Sequence, residues 1–160
     1  MTMKFKAHII GLTFAGLLFT QQAVAGPTSV SAAYPDSIIT ALQDLGYKAE
    51  LTTDSYGDPM IRSAANGVGF ALNFYGCENG ELCTDLQFSV AFDDPEGMSF
   101  ISMNSWNVEK VMGTAFLDDK NDPVLQHFVS QVDGMSRSNF DATFNAWVEA
   151  LGQFTDYIDW

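Results

Sequence analysis

Two alternating apolar segments, one on each side of a pair of cysteines, constrain the fold more than any other feature of the chain. In each segment every second residue is large and apolar: Val68, Phe70, Leu72 and Phe74 in the first, and Leu86, Phe88, Val90 and Phe92 in the second. A period of two is typical of strands, so the pattern predicts a hairpin with eight apolar side chains on one side. Such a face has to be covered, and helices are the expected cover.

Cys77 and Cys83 lie between the two predicted strands. In an oxidising compartment this spacing predicts a disulfide across the loop of the hairpin. A zinc site would need two more ligands, and outside the N-terminal segment only His127 and carboxylates are available. A redox-active pair more often has two residues between its cysteines. We therefore expect a structural disulfide that holds the two strands in register.

The rest of the chain predicts helices and hairpins around this central pair. The predicted strands are 47–53, 60–65, 68–74, 86–92, 110–117 and 124–132, and the predicted helices are 35–45, 96–108 and 137–158. Phe100, Met103, Trp106 and Asn107 are expected at the heart of the second helix. Gly46 is expected to cap the end of the first helix, and Ser136, or Ser138 with Asp141, the start of the last. The pattern predicts an α+β fold in which an antiparallel sheet of about six strands packs against helices, in the order α-β-β-β-β-α-β-β-α.

The first 25 residues have the pattern of a secretory signal peptide. Lys4 and Lys6 precede an uncharged apolar stretch at residues 9–19, and Ala23 and Ala25 supply the small residues of a cleavage point. That stretch is too short to span a membrane, which takes about 20 apolar residues. We expect cleavage after Ala25, a periplasmic or secreted location, a flexible segment at residues 26–34 and one domain at residues 35–160.

The predicted mature chain is strongly acidic. Cleavage would remove two lysines and no acidic residue, which leaves 5 cationic and 20 acidic side chains and a net charge of −15. A field of this sign repels phosphate backbones and anionic lipid head groups, so we expect neither nucleic acid nor a membrane as partner. A protein or peptide is the expected partner, and a homodimer is a further possibility.

Several short motifs together resemble the YbjN family, a group of bacterial proteins named as sensory transduction regulators. The motifs are Leu45-Gly46-Tyr47, the turn before Pro59, Phe74-Tyr75-Gly76-Cys77, Cys83-Thr84-Asp85-Leu86-Gln87-Phe88, Asn104-x-Trp106-Asn107, and the closing Phe140, Phe144, Trp147 and Phe154. The resemblance covers roughly residues 36–157. It implies a fold similar to that of the type III secretion chaperones, small α+β proteins that commonly dimerise and hold client segments. It supplies no catalytic residues.

No cofactor is predicted, and two groups of polar residues are candidate sites. Asn104, Trp106 and Asn107 either bind a sugar or peptide, or join a helix to the hairpin beside it, which is the favoured interpretation. Asp118, Asp119 and Asp122 are a weak candidate for a calcium site, although aspartate is common in turns for backbone reasons.

The leading hypothesis is an exported, non-enzymatic binding or chaperone-like regulatory module. His127 is the one histidine outside the predicted signal peptide, and the chain contains no nucleophile elbow, phosphate loop or zinc-protease motif. The alternatives are a small periplasmic hydrolase or carbohydrate-binding protein that uses surface carboxylates, and a calcium-binding stress protein.

Overall fold

The computed structural model describes residues 29–94 and 96–160, so the predicted signal peptide lies outside the described residues. The described part contains three helices and eight strands. They are β1 (Ser29–Val30), α1 (Pro35–Asp44), β2 (Glu50–Thr53), β3 (Pro59–Ala65), β4 (Val68–Tyr75), β5 (Asp85–Ala91), α2 (Phe100–Glu109), β6 (Thr114–Leu117), β7 (Pro123–Ser130), β8 (Met135–Ser136) and α3 (Arg137–Tyr157).

Strands β2 to β7 form one antiparallel sheet in the order β2-β3-β4-β5-β7-β6. The α+β fold and the predicted order of its main elements are therefore confirmed. In the central pair Leu72 lies opposite Phe88 and Phe74 lies opposite Leu86, so the predicted apolar residues do share one face. A disulfide joins Cys77 to Cys83 in the loop between these strands.

The tight turn between β3 and β4 follows directly from its sequence. Asn66 and Gly67 both have positive φ values, 54° and 81°. A two-residue turn with this backbone matches the twist of antiparallel strands, and Asn-Gly is the pair that adopts it most readily. The turn places Ser63 opposite Phe70 and so sets the register of β3 on β4.

Helix α3 supplies most of the cover for the apolar face of the sheet. Its buried side chains are Phe140, Phe144, Trp147, Ala150, Leu151 and Phe154. The indole of Trp147 stacks on Phe88, with ring centroids 5.4 Å apart, and meets Phe70 edge-on at 5.8 Å. Offset and edge-on contacts of this kind add to the free energy gained by burying the rings. The core is therefore a layer of aromatic side chains between α3 and the central strands.

Part of the segment 26–34, which the sequence predicted to be flexible, packs into the core. Val30 and Ala32 are fully buried. Strand β1 pairs with β8, which places Val30 opposite Met135. The difference arises because this pairing joins residues about a hundred positions apart, and two-residue strands carry no periodic pattern of their own.

Several predicted boundaries also differ from the structure, and two of the differences have a local cause. The second helix begins at Phe100 rather than Glu96, because the Ser99 side chain accepts a hydrogen bond from the Ser102 N–H at 3.1 Å and caps it. Strand β6 begins at Thr114 rather than at residue 110, because the chain turns at Gly113, whose φ is 80°.

Candidate binding surfaces

Trp106 and Asn107 fasten α2 to the hairpin beside it. The Trp106 side chain is buried and its indole N–H donates to the Gly113 carbonyl at 3.2 Å. The Asn107 amide donates to the Ala115 carbonyl at 2.9 Å, and its oxygen accepts from the Ala115 N–H at 2.8 Å. Both contacts match the structural interpretation of these residues. The third candidate, Asn104, is exposed, and any binding role for the three residues stays a prediction.

One exposed side of α2 carries large apolar side chains. With Val111 they form a region that we call the α2 surface; its four side chains are more than 70% exposed, at 72% for Phe100, 78% for Ile101, 78% for Val108 and 104% for Val111. Positions 101, 104 and 108 follow helical spacing, so Asn104 lies among them, and Val111 lies just beyond the end of α2. Phe100 was predicted at the heart of this helix and is instead part of its exposed side. The prediction was wrong because apolar and polar residues are mixed around α2, so spacing does not show which side is buried.

A small cleft lies between the end of α2 and the middle of α3. Its volume is about 200 Å³, and it is lined by Trp106, Lys110, Val111, Met112, Ala146, Glu149, Ala150 and Gln153. The Lys110 ammonium lies 5.6 Å from the centre of the Trp106 ring. Pockets for small ligands usually have volumes of about 300 Å³ or more. The cleft is therefore better described as an extension of the α2 surface than as a small-molecule site.

The disulfide loop holds an apolar side chain in an unusual backbone conformation. Glu78 and Glu81 exchange two backbone hydrogen bonds of 2.7 and 3.1 Å, which tighten the loop. Leu82 follows with a φ of 49° and is 52% exposed. A left-handed backbone is strained for a residue with a bulky side chain, and such strain persists only where the surrounding structure enforces it. The next residue, Cys83, is tied to Cys77 by the disulfide.

Two neighbouring cavities meet beside this loop. The first, of about 320 Å³, is lined by Ala32, Ala33, Tyr34, Pro35, Pro59, Gly80, Glu81, Leu82 and Cys83. The second, of about 330 Å³, is lined by Leu51, Thr52, Thr53, Gly57, Pro59 and Gly80. They share Pro59 and Gly80, so we treat them as one depression, the β2 groove. Sequence reasoning missed these residues, although an apolar Leu82 within an otherwise polar loop is a signal that pointed to them.

Two aspartates of the weak calcium candidate, Asp118 and Asp122, accept backbone hydrogen bonds, and the third, Asp119, is exposed. One Asp118 oxygen accepts the N–H groups of Lys120 and Asp122 at 2.8 and 3.0 Å. Asp122 is buried and accepts the Asp94 N–H at 2.9 Å. Within residues 29–94 and 96–160, no three His, Cys, Asp or Glu side chains are placed to hold a metal ion. The arrangement matches ordinary turn chemistry.

His127 lies on the covered face of the sheet. It is opposite the buried Phe88 in the register of β5 and β7. Burial lowers the pKa of His127 below the ordinary value of 6.5, which favours the neutral ring.

Fold and surfaces together define an α+β module with exposed apolar regions. No helix among the described residues has the length and apolar character that a membrane span requires. The sequence model of one family, YbjN, described as "Putative bacterial sensory transduction regulator", matches residues 34–160. The chain belongs to the YbjN family. Comparisons with curated proteins and with solved structures returned no match. The likeness to secretion chaperones therefore stays a prediction.

Proposed function

We propose that this chain is an exported, non-enzymatic regulatory module that binds an apolar segment of a protein partner at the α2 surface. The observation that carries the proposal is the exposure of Phe100, Ile101 and Val108 on one side of α2, with the exposed Val111 just beyond the end of the helix. Monomeric proteins seldom keep large side chains exposed as a contiguous apolar patch, and such patches often mark binding sites. An amphipathic or extended segment that covers this side would remove all four side chains from water.

Charge favours a different protein over a second copy as the occupant. The α2 surface is nearly uncharged, and Glu109 is the only charged residue of α2. The predicted mature chain nevertheless carries a net charge of −15, so two copies that meet at this surface would repel each other. A partner with a less acidic surface is not repelled in this way.

Four observations support the rest of the proposal. The disulfide suits an oxidising compartment, and the N-terminal pattern suits export. The family is described as regulatory. The buried or turn-forming aspartates accept backbone hydrogen bonds. This is a structural role, whereas a hydrolase would need its carboxylates free to act on a substrate.

Capture from a periplasmic extract tests the α2 surface when two matched variants are compared. We expect Ile101→Ser/Val108→Ser to lose a partner that the wild type captures reproducibly. Tyr56→Ser/Val132→Ser, which removes two exposed apolar side chains elsewhere, should keep it. Equal capture by both variants would contradict the proposal. Light scattering after size exclusion should show a monomer, and a dimer that only the α2 variant dissociates would make the second copy the occupant.

N-terminal sequencing tests the proposed export separately. Protein recovered from the periplasm or medium should begin at Gly26, because cleavage is expected after Ala25. Recovery of exported protein that still begins at Met1 would contradict the cleavage point. This result does not depend on which partner the chain binds.

A further inference from the structure

We propose that the β2 groove is a second binding surface, which takes an extended, cationic segment of another protein by adding it as a strand to β2. The groove is separate from the α2 surface, so this inference goes beyond the function proposed above and does not depend on it. Three observations carry it: the free edge of β2, the apolar lining beside that edge and the charge around it.

Strand β2 is the terminal strand of the six-stranded sheet, so its outer edge has no strand neighbour among the described residues. The backbone N–H and C=O groups along such an edge are available to pair with another extended chain. One cavity of the groove is lined by three consecutive residues of this strand, Leu51, Thr52 and Thr53. A segment paired with β2 would direct alternate side chains into that cavity.

The lining of the groove is largely apolar, and one of its residues, Leu82, has a backbone conformation that leucine disfavours. Leu82 has a left-handed backbone and a half-exposed side chain that lines the cavity beside Pro35 and Pro59. A strained residue that buries its side chain contributes to the core, whereas Leu82 does not. Strain at an exposed apolar position is better explained by contact with a ligand.

The charge around the groove selects the chemistry of the occupant. The disulfide loop contacts the turn between β2 and β3, since a Cβ atom added to Gly80 would lie 3.1 Å from the Gly57 carbonyl oxygen. Glu78 and Glu81 on the loop are exposed, whereas the exposed Glu50 on β2 lies opposite Arg62 of β3, so the acidic rim is that of the loop. Neither cavity is lined by a lysine or arginine. An apolar segment with flanking basic residues therefore complements both the lining and the rim.

Two synthetic peptides test this chemistry on the full mature chain. The first is a seven-residue peptide of alternating lysine and valine, and the second replaces each lysine with glutamate. Fluorescence anisotropy should show binding of the lysine peptide and none of the glutamate peptide. Equal affinity for both, or no binding of the lysine peptide, would overturn the proposal. Neither result depends on the α2 surface, and Ile101→Ser/Val108→Ser should bind the lysine peptide as the wild type does.

Matched variants separate the groove from general attraction to an acidic protein. We expect Glu78→Lys/Glu81→Lys to weaken binding of the lysine peptide by about tenfold or more, because charge pairs at a site act over short distances. Glu96→Lys/Asp119→Lys makes the same change in net charge near the opposite end of the sheet and should change affinity less than about twofold. Equal weakening by the two double variants would overturn the proposal.

Leu82→Asn tests the apolar wall without disturbing the loop. Asparagine has a similar size and tolerates a left-handed backbone better than leucine does. The variant should therefore keep or raise the Tm and yet weaken peptide binding several-fold. Unchanged affinity, or a loss of affinity that accompanies a large fall in Tm, would assign Leu82 a structural role.

Backbone methylation of the peptide tests strand addition itself. Only alternate residues of an added strand exchange backbone hydrogen bonds with the edge strand. Peptides methylated on the nitrogens of either the lysines or the valines should therefore differ, and one should bind much more weakly than the other. Equal binding of the two methylated peptides would rule out pairing with β2.

Discussion

The Cys77–Cys83 disulfide offers a quantitative test of how the central hairpin is stabilised. The cysteines are six positions apart. The chain-entropy model gives about 2.4 kcal/mol at 25 °C for a closed loop of about seven residues. With an unfolding entropy of about 2.1 cal/mol/K per residue over about 130 ordered residues, this free energy corresponds to a change in Tm of about 9 °C. Replacing both cysteines with alanine should lower the Tm by that amount.

Far-ultraviolet circular dichroism during heating measures this change directly. The wild type and Cys77→Ala/Cys83→Ala are each heated with and without a phosphine reductant. Reductant should lower the Tm of the wild type to near that of the variant and leave the variant unchanged. A fall of less than about 3 °C, which is about 0.8 kcal/mol for a chain of this size, would refute the reasoning. The backbone pairing of Glu78 with Glu81 would then be what holds the loop.

Three further predictions concern pH, the α2 fastening and the link between helices. Because burial lowers the pKa of His127, the unfolded chain takes up the proton first as pH falls, so the free energy of unfolding should fall as pH drops below 6.5. His127→Gln should flatten this pH dependence in urea titrations, and parallel curves of unfolding free energy against pH for the wild type and the variant would contradict the prediction. Asn107→Ala should lower the free energy of unfolding by about 1–2 kcal/mol, because two hydrogen bonds to the backbone are lost, whereas Asn104→Ala at an exposed position should be nearly neutral. Equal urea midpoints for the two variants would be inconsistent with a fastening role for Asn107. Arg137→Ala should lower the free energy of unfolding by about 1 kcal/mol or less, and by less at high salt, because the 2.8 Å ion pair of Arg137 with Asp44 is partly exposed. A loss of stability that salt does not change would indicate that Arg137 acts through packing instead.

Local signals in the sequence were reliable where the residue itself determines the backbone. Gly46, predicted at the end of the first helix, has a φ of 89°, which glycine adopts without strain. Ser136, predicted as the cap of the last helix, accepts the Asn139 N–H at 3.2 Å. These interactions join residues within a few positions of each other, so the sequence alone was sufficient to predict them.

The candidate surfaces were harder to predict because they depend on which groups the fold leaves uncovered. Trp106 and Asn107 stood out in the sequence as a possible site, and in the structure they hold α2 to the residues at the start of β6. Phe100, which is exposed on the same helix, was predicted at its heart. An apolar residue type predicts burial on average, and only the positions of β6 and α3 beside α2 decide which side of α2 is covered.

The sequence by itself determined the two apolar strands, their hairpin with its disulfide, and the helix of aromatic residues that covers them. These follow from periodicity and from turn and capping residues, which act over short stretches of chain. Only the tertiary structure decided that β7 lies between β5 and β6, that β1 pairs with β8, and that Leu82 is held exposed beside the free edge of β2. Those features depend on contacts between distant residues, and no local pattern encodes such contacts.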